Sequence, residues 1–174
     1  MLTALRPKSF QAHDASFAIV ASLYNARYVN AMLRAAKAEL KRAGARQIRV
    51  FRVPGAYEIP IVAARLAGTA PAGAPPAASP SRIAHHSPPS AIICLGVILR
   101  GQTVHAAHIG EAVSQALMRI QLQCLVPVIH EVLLLENEDQ ARARCLSKTH
   151  NRGAEAAQTE LAMASLVPRL TPHG

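Results

Sequence analysis

Five donor-bearing side chains and a glycine fall within nine positions near the middle of the chain: Arg100, Gly101, Gln102, Thr103, His105 and His108. A glycine-containing turn at a helix N-terminus offers backbone amides to an anion, and a histidine beside it suits proton transfer near neutral pH. Two other segments have chemical potential. Tyr24-Asn25 ends an apolar run with an aromatic face beside an amide. Val53-Pro54-Gly55-Ala56-Tyr57-Glu58-Ile59-Pro60 puts the Glu58 carboxylate in the first turn of a helix. Taken singly, each has an ordinary reading: Tyr24 as a rim residue of the core, Glu58 as a solvated carboxylate. Arg144, Lys148 and Arg152, at i, i+4 and i+8, read as a charged solvent face. Their combination carries more weight, because each sits just past a strand or at a helix end.

The elements that must position these groups follow from apolar spacing. Ala91–Leu99 is almost continuously apolar between Pro88-Pro89 and Arg100-Gly101, which predicts a strand buried on both faces. A helix follows, with Ile109, Ala112, Val113, Ala116, Leu117 and Ile120 on one stripe. Phe17–Leu23 predicts a first strand. Val29, Met32, Leu33, Ala36 and Leu40 then line one face of a helix, with Lys37, Lys41 and Arg42 toward the other side and Gly44 as its stop. Gln47–Val53 reads as a second strand and Ile59–Leu66 as a helix that tolerates Pro60 in its first turn. Pro127–Leu135 is a fourth strand. A polar helix starts over Glu136–Gln140, Asn151-Arg152-Gly153 breaks it, and a final helix runs through Ala156, Leu161 and Met163 toward Val167.

This alternation predicts one domain: a three-layer α/β/α, flavodoxin-like fold around a four-stranded, mainly parallel sheet, with ligands at the carboxyl ends of the strands. Residues 1–16 read as an arm, 17–167 as the domain and 168–174 as a flexible tail. The Ala/Pro-rich stretch at about 68–89 reads as a surface insertion. Its His85-His86 pair lacks companion ligands, so no metal site is expected.

With 51% hydrophobic residues over 174 positions, the chain has material for a real core, built from aliphatic residues since there are three Phe, three Tyr and no Trp. The net charge of +9 favours anionic ligands such as phosphorylated metabolites. The basic residues are dispersed, which argues against general nucleic-acid binding. Three cysteines without C-x-x-C spacing point to a reduced, cytoplasmic setting, and neither a signal peptide nor a membrane span is expected.

Tyr24-Asn25, VPGAYEIP at 53–60 and LGVILRGQTVH at 95–105 together resemble the 6,7-dimethyl-8-ribityllumazine synthase family, with a weaker match at 144–153. The resemblance runs from about Phe17 to Leu166. It implies condensation of 5-amino-6-(D-ribitylamino)uracil with 3,4-dihydroxy-2-butanone 4-phosphate in the penultimate step of riboflavin biosynthesis, without cofactor or metal. It further implies that Tyr24 and Asn25 meet the pyrimidine, with Val97, Ile98 and Leu99 along its edge. Ala56, Tyr57 and Glu58 would line the ribityl site. Gly101, Gln102 and Thr103 would hold the phosphate with Arg144 of a neighbouring subunit, His105 would move protons, and His108, Lys148 and Arg152 would be auxiliary. His130 stands where the family often places an aromatic residue of the adjacent subunit. A homopentamer or a shell of pentamers is implied, with riboflavin synthase a possible partner. The chain departs from the family pattern at Ala106-Ala107, His130 and Leu134-Leu135. The altered surroundings of His105, the change at His130 and the high positive charge support the alternative, a non-catalytic relative that binds a flavin-like ligand or anionic cargo.

Overall fold

In the computed structural model, residue 12 and residues 14–68 and 87–170 are described. Most of the arm, the bulk of the insertion with His85-His86, and residues 171–174 lie outside the described residues. Strands β1 (Ser16–Ser22), β2 (Gln47–Val53), β3 (Ala91–Leu99) and β4 (Val128–Leu135) form one sheet in the order β2-β1-β3-β4, with every pairing parallel. β1 meets β3 from Phe17↔Ala91 to Ala21↔Leu95. The order turns back between β1 and β3, and in such sheets the crevice at that switch point receives ligands.

The two faces of the sheet carry separate apolar layers. Helices α1 (Ala26–Arg42) and α5 (Arg152–Leu166) cover one face, packed on Ile19, Ala21, Ile93 and Leu95. Helices α2 (Ile59–Ala67) and α3 (His105–Cys124) cover the other, on Ala18, Val20, Ile92 and Cys94. Central β3 is buried from Ala91 to Val97, as a strand with helices on both sides must be. Tyr28, Val29, Met32, Ala36 and Leu40 form the buried stripe of α1, and Gly44 turns the chain after it with φ 87°.

Four local expectations change. The α3 helix starts at His105, a full turn before the first stripe residue, and Ala112 faces outward while Val113, Leu117 and Ile120 are buried. The polar helix after β4 is only Glu138–Ala141 (α4), capped by Asn137, whose side chain accepts from the Gln140 amide at 2.9 Å. It runs into a π-helical turn, Arg142–Leu146, and ends at extended Ser147. Arg144, Lys148 and Arg152 therefore share no helical face. Asn151 begins α5 rather than breaking a helix: its side chain accepts from the Gly153 amide at 2.9 Å and donates to the Cys145 carbonyl. Gly153 is there for proximity, since a Cβ would lie 2.0 Å from the Met32 carbonyl oxygen of α1. Val167–Leu170 form a 3-10 turn, where a flexible tail was expected from residue 168.

Candidate active site

Main-chain bonds fix the carboxyl ends of the strands relative to one another. After β1, the amide of Leu23 donates to the Val53 carbonyl at 2.8 Å and that of Tyr24 to the Pro54 carbonyl at 3.1 Å, tying the turn after β1 to the turn after β2. Asn25 takes the left-handed conformation (φ 55°) that Asn tolerates better than most residues, and its side-chain amide donates to the Val97 carbonyl of β3 at 2.8 Å. On the far side, the Arg100 amide donates to Leu135, and the Arg100 side chain pairs with Glu136 at 2.8 Å. Arg100 thus joins β3 to β4 at their ends.

These ties frame a cleft of about 670 Å³ at the switch point, lined by Tyr24, Asn25, Gly55, Ala56, Tyr57, Glu58, Val97, Ile98, Leu99, His105 and His108, and also by Ile109 and Ala112 of α3. Tyr24 and Tyr57 are largely exposed there. Glu58 is not merely solvated: one carboxylate oxygen accepts from the Gly55 amide at 2.8 Å, which orients the side chain along the short 3-10 turn Ala56–Glu58. A Cβ on Gly55 would stand 2.9 Å from that oxygen and 3.1 Å from the Tyr24 ring, so the glycine lets aromatic ring and carboxylate sit side by side. His105 enters as the first residue of α3, and His108 follows one turn on. This brings an aromatic face, a carboxylate, a run of strand backbone and two imidazoles around one space.

Gly101, Gln102 and Thr103 form the exposed turn leading into α3 beside the cleft but do not line it. No side chain caps the N-terminus of α3, and no acidic residue occupies its first turn, which leaves the positive end of the helix dipole open to an anion. Ile109 and Ala112 were assigned to the buried stripe by spacing; their positions at i+4 and i+7 from His105 are the signal that puts them in the cleft. Gly55 was legible as part of the turn motif, not as the residue that brings Tyr24 and Glu58 together.

The remaining expected residues stand outside this cleft. Arg144 is exposed on the π-helical turn, which the rest of its segment holds in place: Arg142 bonds Glu138 and Asp139, and Tyr28 of α1 donates to Glu138 at 3.1 Å. Lys148 is exposed in the following turn. Arg152 grips the buried Glu131 of β4 through Nε and Nη2, at 3.0 and 2.7 Å, and Glu155 through Nη1 at 2.6 Å. Burial pushes the Glu131 carboxyl up to about 7 even against the Arg152 guanidinium. His130, on the opposite face of β4 from Glu131, packs toward α3. Among the described residues no cluster of histidine, cysteine and carboxylate side chains is disposed to hold a metal ion, and Cys94, Cys124 and Cys145 are all free thiols. No described helix is long and apolar enough to cross a membrane.

Residues 14–168 match the family model of 6,7-dimethyl-8-ribityllumazine synthase, a span that contains every residue of the cleft. The chain belongs to the lumazine synthase family. The lumazine synthase of Stenotrophomonas maltophilia strain R551-3 is 38% identical over 159 residues, covering 90% of this chain and 92% of the relative. Those of Xanthomonas euvesicatoria pv. vesicatoria strain 85-10 and Xanthomonas oryzae pv. oryzae strain PXO99A are 37% and 36% identical over 158 residues, with the same shares covered. The similarity spans nearly the full length on both sides. Membership makes the chain an enzyme of the transferase class in riboflavin biosynthesis, and the non-catalytic alternative is not favoured.

Proposed function

We propose that the chain condenses 5-amino-6-(D-ribitylamino)uracil with 3,4-dihydroxy-2-butanone 4-phosphate, releasing phosphate and water, and that it does so in the reduced cytoplasm. The observation that carries this reading is the meeting of Tyr24, Glu58 and His105 around the strand end Val97, Ile98 and Leu99 in one cleft. The Tyr24 ring stacks on the pyrimidine, whose carbonyls and ring nitrogens bond the main chain of 97–99. Asn25 spends its amide on Val97, so its part is to hold the strand end beneath that ring. Glu58, oriented by the Gly55 amide, accepts from ribityl hydroxyls beside Ala56 and Tyr57. The phosphate lies at the uncapped start of α3, against Gly101, Gln102 and Thr103. His105, the first residue of α3, takes and returns protons during imine formation and phosphate loss, with His108 within the same space. Placing two reactants side by side supplies much of the rate.

Arg144 and His130 serve the cleft of a neighbouring subunit in a homopentamer, or in a shell of pentamers that riboflavin synthase could share. Two features support this. Neither residue lines the cleft of its own chain, and the 3-10 turn Ala56–Glu58, α2 and α3 expose Tyr57, Ile61, Met118 and Leu122, apolar surface that a second copy would cover. Arg152, committed to Glu131 and Glu155, acts by anchoring α5 to β4 rather than on phosphate. Mixing the assembled protein with both substrates tests the reading: lumazine fluorescence must grow well above the spontaneous reaction, and a rate equal to that in buffer refutes it.

A further inference from the structure

His130 puts an imidazole where the family resemblance implies an aromatic wall, and an imidazole can change tautomer and charge. Its surroundings leave it little freedom to do either. Nδ1 receives the Val132 amide of its own strand at 3.2 Å, and Nε2 meets Ser114 Oγ of α3 at 2.7 Å. A backbone amide can only donate, so Nδ1 must be the unprotonated nitrogen. The Ser114 hydroxyl already directs its one hydrogen to the Gly110 carbonyl at 2.7 Å, so toward the ring it can only accept, and Nε2 must carry the proton. Two independent contacts thus require the same neutral tautomer. A second proton on Nδ1 would face the Val132 amide hydrogen directly, and partial burial also lowers the His130 pKa.

We propose that Ser114 is a positioning residue that locks the His130 ring in one plane as the neutral Nε2–H tautomer, so that it offers a neighbouring subunit's pyrimidine an uncharged aromatic wall. The proposal rests on the cross-subunit reading of His130. The lock itself joins β4 to α3 along one chain of donors, His130 Nε2–H to Ser114 Oγ–H to the Gly110 carbonyl. Where the ring is replaced by a phenyl, Ser114 has nothing to hold, and that is the basis of the test.

Steady-state kinetics with Ser114→Ala, Ser114→Thr, His130→Phe and the double variant Ser114→Ala/His130→Phe separate the possibilities. Ser114→Ala is expected to raise KM for the pyrimidine about three- to tenfold with kcat within about twofold, Ser114→Thr to restore most of the loss, and Ser114→Ala to add nothing in the His130→Phe background. Equal losses in both backgrounds would make Ser114 a helix-stabilising residue only and overturn the proposal. In a His130→Ala variant, an unchanged KM would instead refute the cross-subunit placement and the proposal with it, whereas a raised KM without coupling to Ser114 would refute the proposal alone. Nitrogen-15 shifts of the His130 ring test the lock without turnover. A protonated Nε2 with an acceptor Nδ1 is expected, and a protonated Nδ1 would overturn it.

Discussion

The cleft and the α1–α5 junction are built by opposite means. In the cleft the working side chains are exposed, Tyr24 by 72% and Tyr57 by 64%, and their positions come from main-chain bonds between neighbouring turns. At the junction the backbones themselves touch, with Gly153 against Met32, and farther along α5 Glu160 is wholly buried with neither carboxylate oxygen hydrogen-bonded. The contrast teaches where stability and activity are separately held. Substitutions in the cleft should change turnover and leave the fold alone, and substitutions at the junction should do the reverse.

The largest effect expected is on the junction side. Gly153→Ala drives a Cβ into the Met32 carbonyl, so α5 must move off α1; a loss of about 3 kcal/mol or more in chemical denaturation is expected, and a loss below about 1 kcal/mol would break the comparison. Next comes His105→Ala, expected to lower kcat about 100-fold, equivalent to about 2.7 kcal/mol of transition-state stabilisation, with an unchanged unfolding midpoint. A matching fall in stability would show that the cleft is not independent of the core. Asn25→Ala sharpens the contrast, because this cleft residue also ties the turn after β1 to the end of β3. Losing the amide to Val97 and the tolerance for φ 55° should cost about 1–2 kcal/mol and raise KM for the pyrimidine together.

Glu160 gives the most graded effect, small over any one pH unit. Burial alone holds its carboxyl well above the usual carboxylate range, so the folded state keeps a proton that the unfolded chain gives up. Stability from this site is therefore full below about pH 4.5 and falls as pH rises toward the folded value, at no more than about 1.4 kcal/mol per pH unit. Glu131, raised to about 7, adds the same sign of slope over the range between its unfolded value and 7. Glu160→Leu should flatten its share and leave that of Glu131, as read from denaturation midpoints between pH 5 and 9. A slope unchanged by the substitution would mean that the buried carboxyl is not the group that titrates.

Most of the architecture was legible because burial on both faces writes a strand as an apolar run, as in Ala91–Leu99, and because the α1 stripe keeps a helical period. The segment after β4 was not. Its buried residues are only Ala141 and Cys145, and two small side chains among polar ones carry no period that separates a short α-turn, a π-turn and a loop. Glu160 was equally opaque, since a glutamate in a helix reads as its solvent side. The cleft residues were visible through motif and order along the chain. What spacing could not convey was the side to which each belongs: Arg152 faces a buried glutamate, and Ala112 the cleft.

The register of β1 against β3 sets how this chain must find its fold. The two central strands pair across the whole stretch from Phe17 to Ala91, so no local hairpin can nucleate the sheet, and β1 must wait for most of the chain before its inner edge is satisfied. Such non-local pairing slows folding and exposes strand edges meanwhile. The Ala/Pro-rich stretch lies inside that loop, yet closure entropy grows only with the logarithm of length, so its presence adds only about 0.3 kcal/mol to the search. Chain length between β2 and β3 is thus a nearly neutral variable for refolding speed, and shortening the stretch should change the refolding rate by less than about twofold.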